Sequence, residues 1–200
     1  MLGNSKDVEG TWFADPMKGS IPVQLSDIIN DVLLPAGICI SQPQRETESG
    51  EYGACQFEVE GKRVLFRVAN TTPTKLGQFV TMWKRPRAQD EIMPIDYDDG
   101  IEFVLVSVFD HTHRGLFIFN KYVLAKKGVM SVKGKEGKRA IRVYAPWVKP
   151  IVKQAITTQE WQLQHFVSAA SGEVNFNKLK ALLTLDNWVK GHPLTIDSLF

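Results

Sequence analysis

Two hydrophobic rhythms alternate along this chain. Val23, Ile28, Ile29, Val32 and Leu33 recur at helical spacing, with Gln24 or Ser26 near the start and Pro35 closing the run. After a short apolar piece at 37–40 and a polar loop at 41–50, the period changes to two. Cys55, Phe57 and Val59 mark one face of a strand over 54–60. Val64, Phe66 and Val68 mark another over 63–69, opposite Leu65 and Arg67, and Gly61-Lys62 supplies a tight turn. That predicts a hairpin. Residues 89–100 are acidic, contain Pro94 and read as a loop. Ile101–Phe109 and Gly115–Phe119 are almost continuously apolar, as strands covered on both faces are. Val123-Leu124 begin a short helix or edge piece, and 139–144 alternates again until Pro146. Residues 157–168 predict a helix with Trp161, Leu163, Phe166 and Val167 as its buried stripe and Gln159, Gln162 and Gln164 elsewhere. Phe176, Leu179, Leu182, Leu183 and Trp188 predict a last helix ending near 191–193.

The order of elements reads as α/β or α+β, one domain built on a central mixed sheet flanked by helices. We expect a polar N-terminal arm over 1–20, the domain over 21–170, and a helical C-terminal extension over 171–200 packed on it. The chain has 200 residues, long enough for a full core.

Charge adds something the hydrophobic pattern does not. The formal net charge is only +2, but residues 61–153 hold 18 Lys/Arg against 8 Asp/Glu, so the middle is basic and the ends are acidic. Such asymmetry suggests an anionic partner, against the plainer reading of a solvated surface. Cys39 and Cys55 lack the spacing of a zinc site or a disulfide framework and read as buried free thiols. The first residues have no apolar signal core and no run reaches the length of a membrane span, so a cytosolic protein without a membrane role is expected.

The chemistry concentrates in 66–87. Arg67, Lys75, Lys84 and Arg85 supply cations, Thr74 a hydroxyl, Gln78 an amide, and Phe79 and Trp83 flat faces. Charges for a phosphate backbone and rings for bases are what nucleic acid asks of a binding surface. The Thr-Pro-Thr-Lys turn is either a phosphate cradle or a strand-to-helix junction with Thr74 as N-cap. The loop at 133–139 lacks the nucleotide P-loop spacing but offers Lys138 and Arg139, and Arg142, Tyr144 and Trp147 continue the pairing of cation with ring. His111 and His113 have no further ligands nearby and read as a loop between strands. A Mg²⁺-dependent nuclease would need paired carboxylates, with Glu51 and one of Asp96, Asp98 or Asp99 as candidates. The second hairpin strand, however, reads Phe-Arg-Val-Ala-Asn, with a cation where an acid belongs.

Glu51-Tyr52-Gly-Ala54, Phe66-Arg67, Thr72-Pro73-Thr74-Lys75-x-Gly77-Gln78-Phe79-Val80 and Trp83-Lys84-Arg85 form an ordered set of blocks. It continues through Gly115-x-Phe117-Ile118-Phe119, Lys135 to Arg139, Arg142-Val143-Tyr144, Trp147 and Thr158-Gln159-x-Trp161-Gln162. On these blocks the stretch 46–166 resembles the MepB-like family of small bacterial proteins. The resemblance implies a fold similar to restriction endonucleases and a role in binding nucleic acid, with no established enzymatic activity. Two positions depart from the family pattern: Asn70 stands where a lysine is expected and Asn120 where a proline is expected. The expectation is therefore a DNA- or RNA-binding protein with a basic groove, no robust catalysis and no cofactor. The alternatives are a divergent nuclease using Mg²⁺ and a module for a small anion or a protein.

Overall fold

Pro22, in extended conformation, stands at the N-cap of α1 (Val23–Ile28), and the helix widens into a π-turn over Ile29–Leu33 before Pro35. Ile28, Ile29, Val32 and Leu33 of the predicted stripe are buried, whereas Val23 is 64% exposed and Leu25 takes its place against the core. The computed structural model describes residues 21–46 and 53–184. The expected N-terminal arm, Glu51 and the end of the C-terminal extension lie outside the described residues.

β1 (Gln44–Arg45) lies against β2 (Cys55–Val59), which pairs with β3 (Lys62–Val68) as the expected hairpin. The turn sits one residue earlier than the sequence suggested. Glu60 and Gly61 both have positive φ, 49° and 75°, the conformation whose twist matches that of the flanking strands. Lys62 is thereby the first strand residue, opposite Val59.

β3 pairs in parallel with a strand far along the chain, and a parallel pair demands a long crossover. Here that crossover is built from strands. β4 (Asn70–Thr72) and β5 (Lys75–Thr81) form a second hairpin with Pro73-Thr74 at its tip. The reading of Thr74 as a helix N-cap is thus corrected, because Lys75 begins a strand. β6 (Trp83–Lys84) and β7 (Met93–Pro94) pair next, and a 3-10 turn follows at Tyr97–Asp99. β8 (Phe103–Phe109) then runs parallel to β3 and antiparallel to β9 (Arg114–Asn120). Both strands are buried on both faces, as their continuous apolar runs predicted.

Asn120, where the family pattern expects proline, is the N-cap of α2 (Lys121–Lys126), its Oδ1 accepting from Val123 N at 2.9 Å. After the basic loop, β10 (Ala140–Val143) returns along β5 and completes a three-stranded sheet in the order β10-β5-β4. α3 (Lys153–Leu163) comes next. Phe166 and Val167, expected in that helix, belong instead to β11 (Phe166–Ser168), which pairs with β9. α4 (Phe176–Leu183) is capped by the Asn175 side chain and buries Leu179 and Leu183.

The main sheet therefore runs β1-β2-β3-β8-β9-β11, a mixed sheet flanked by helices. One face, with Phe57, Phe66, Phe103 and Ile118, packs on α1 and α4. The other, with Leu65, Val106, Phe117 and Phe119, packs on Val80 and Val143 of the smaller sheet, on Met82 just after it, and on α2. The smaller sheet, lying over the main one, carries the candidate site.

Candidate nucleic-acid interface

The antiparallel register of β5 and β10 sets Val143 opposite Gln78 and Arg142 opposite Phe79. Arg142 reaches back along β5, its Nη1 donating to Gly77 O at 3.0 Å and to Lys75 O at 3.3 Å. Gly77 has φ +75°, and a Cβ there would lie 2.7 Å from the Tyr144 ring. Glycine is what lets that ring lie against the strand.

β10 is an edge strand, and α3 closes the edge with side chains. Gln162 accepts from Tyr144 N at 2.9 Å and donates to Arg142 O at 2.9 Å, in place of a neighbouring strand. Gln159 donates to Ala145 O and Val148 O. The inward face of α3 is consequently polar, and Gln162 is wholly buried. The expectation that the glutamines point away is corrected by this demand: exposed strand N–H and C=O groups need partners, and amides can supply both.

Between β5, β10, α2 and α3 opens a groove of about 880 Å³. Lys75, Lys127, Lys138 and Arg142 line it and, among the described residues, no carboxylate does, while Tyr144 and Trp161 supply rings. The Lys127 ammonium sits 5.3 Å from the Trp161 ring centroid, within cation–π range. Lys127 and Trp161 were not among the expected site residues. Trp161 was assigned to a buried stripe, and only the fold brings the end of α2 to α3.

Two further clefts hold other predicted residues. One of about 540 Å³ is lined by Lys84, Lys135 and Arg139, but also by Asp90, Glu91, Asp96 and Glu136. Arg139 pairs with Glu136 at 2.8 Å. The second, of about 560 Å³, shares Lys84 and Pro86 with the first and adds Arg63, Arg67, Trp83, Arg85, Arg87, Glu46 and Asp99. Lys84 pairs with Asp99 there, and Arg85 lies 5.9 Å from the Trp83 ring centroid. Arg139 and Lys138, consecutive in sequence, line different clefts, and Arg85 lines a third.

Three predicted contacts take other places. Arg67 is 2% exposed. Its Nη1 and Nη2 donate to Glu46 Oε1 and Oε2 at 3.1 and 3.0 Å, and Nη1 also to Phe66 O. Its assignment to phosphate is corrected: the guanidinium is buried and held by a carboxylate. Gln78 is buried and donates to Phe109 O at 3.1 Å and Thr71 Oγ1 at 3.3 Å, tying the small sheet to β8. Trp147 stacks on His113 at 4.9 Å and meets Phe166 edge-on, so its base-stacking assignment gives way to packing. Thr74 is exposed at the hairpin tip beside Lys75.

The paired thiol expectation also divides. Cys55 is buried, which pushes its thiol up to about 12, whereas Cys39 is exposed. His113 is bonded through Nδ1 to Asp110, and among the described residues no group of three or more His, Cys, Asp or Glu could hold a metal ion. Nor, among them, is any helix long and apolar enough to cross a membrane.

Comparison with known proteins agrees with the sequence blocks. Among curated proteins no relative matches. A solved structure described as the crystal structure of MepB superposes with a TM-score of 0.61 at 29% identity, covering 64% of this chain and 86% of the other. The model of the MepB-like family matches residues 46–168, a span that contains the groove-lining strands, α2 and α3. The chain belongs to the MepB-like family.

Proposed function

We propose that the protein binds nucleic acid along the groove between β5, β10, α2 and α3, without robust catalysis. The observation that carries this reading is the charge of that groove: four cations, two rings and, among the described residues, no carboxylate on one surface. Cations attract phosphates independently of sequence, and rings accept any base by stacking.

The nuclease alternative draws no comparable support from the geometry. Of its carboxylates, Asp99 is engaged by Lys84 and by Asp96 N, and Arg67 occupies the hairpin strand where an acid would serve.

Binding of a labelled DNA or RNA oligonucleotide across a salt series tests the reading. Affinity that falls steeply with salt supports it. No binding at low salt, or a flat response, overturns it.

A further inference from the structure

The groove that carries the cations is rimmed by exposed aliphatic side chains. Ile151 is 85% exposed, Val152 63% and Leu76 56%. All three line the groove, from opposite walls: Leu76 on β5, and Ile151 and Val152 on the segment that leads into α3. They are three of eight large hydrophobic residues left exposed among the described residues. Single exposed aliphatics need no explanation, but a group converging on one charged groove does. Pro150, its own φ fixed by its ring, precedes Ile151, and Val152 is the N-cap of α3, its carbonyl accepting from Ala155 N and Ile156 N. The two side chains are therefore carried by a constrained junction rather than a loose loop.

We infer that Ile151 and Val152, with Leu76 facing them, form an apolar wedge that presses against base faces and unstacks neighbouring bases. The inference rests on the nucleic-acid reading of the groove and adds a device to it. The groove's cations hold the phosphates, which leaves the flat, apolar parts of the ligand for the exposed aliphatic side chains. A partner held by its charge at Lys75, Lys127, Lys138 and Arg142 must also offer apolar faces to cover this rim, and bases do. Aliphatic side chains inserted between base steps are a known means of parting them.

The experiment uses the full chain and a short oligonucleotide carrying one 2-aminopurine, whose fluorescence rises when it leaves the stack. Binding is followed separately by anisotropy of an end label. The wild type is expected to bind and to raise the 2-aminopurine signal. The Ile151→Ser/Val152→Ser variant is expected to bind with an unchanged salt dependence and to lose most of that rise. Leu76→Ser, on the opposite wall, should lose part of it. These side chains are exposed, so folding is retained, and the melting temperature checks this. Binding without a 2-aminopurine response, or a response that survives in both variants, overturns the wedge and leaves the groove reading intact. Absence of binding by the wild type overturns both.

Discussion

Neutralising two of the four groove cations should change how binding depends on salt, by an amount the structure sets. Lys75 and Lys138 are exposed, and neither is in an ion pair among the described residues, so Lys75→Gln/Lys138→Gln disturbs little besides charge. Four phosphate contacts give a slope of log affinity against log salt of about −2.8 for a single strand and about −3.6 for a duplex. Between 50 and 200 mM salt the wild type should lose roughly 50- to 150-fold in affinity. With two contacts left the slope should halve, and the loss should shrink to roughly 7- to 12-fold. At 100 mM salt the variant should bind roughly 25- to 60-fold more weakly than wild type, about equally for all sequences. Anisotropy titrations at four salt concentrations measure all of this. Lys75→Arg/Lys138→Arg, which keeps both charges, should keep the wild-type slope. A double Gln variant with that same slope would mean that the phosphates are held elsewhere, and would overturn the groove as their site.

Three further outcomes follow from the interior. Glu46→Ala strips the buried Arg67 guanidinium of its carboxylate and should cost about 3 kcal/mol in denaturant unfolding; a loss below about 1 kcal/mol would show that water already reaches the pair. His165 is held down to about 4 by burial, with Lys178 and Lys127 adding repulsion. Its folded value lies below the unfolded one, so the unfolded chain binds the extra proton. Stability should be full above about pH 6.5 and fall by about 3 kcal/mol as pH drops through 4. His165→Gln should flatten that part of the profile, and an equally steep profile in the variant would contradict the assignment. Cys39 is exposed while Cys55 is buried with its thiol raised, so the native protein should react with one equivalent of a thiol reagent and take up a second only on unfolding.

The elements that were legible in the sequence are those whose partners are close in the chain. The β2–β3 hairpin, the doubly buried β8 and β9, and the stripe of α1 apart from Val23 follow from local periodicity, and the structure has them. What was not legible depends on distant partners. Arg67 looked like a surface cation because the alternation put it opposite the apolar face, but Glu46, 21 residues away, closes over it. The glutamines of α3 looked solvent-facing because nothing local announces that β10 is an edge strand needing donors and acceptors. Phe166 and Val167 continued an apolar stripe equally well as helix or as strand, and β9 decided for strand. Lys127 and Trp161, on different helices, become a site only once α2 and α3 meet at the groove. The blocks Thr72–Val80 and Arg142–Tyr144 lie far apart in the chain, and the pairing of β5 with β10 is what brings them side by side.

Residue-resolved NMR of the labelled protein titrated with a short oligonucleotide locates the ligand. Amide shift changes are expected in the groove alone: Lys75 to Gly77, Lys138 to Tyr144, and the face of α3 from Gln154 to Gln162. Changes centred instead on Glu46, Arg63 and Arg87, with the groove amides unmoved, would contradict the groove as the binding site.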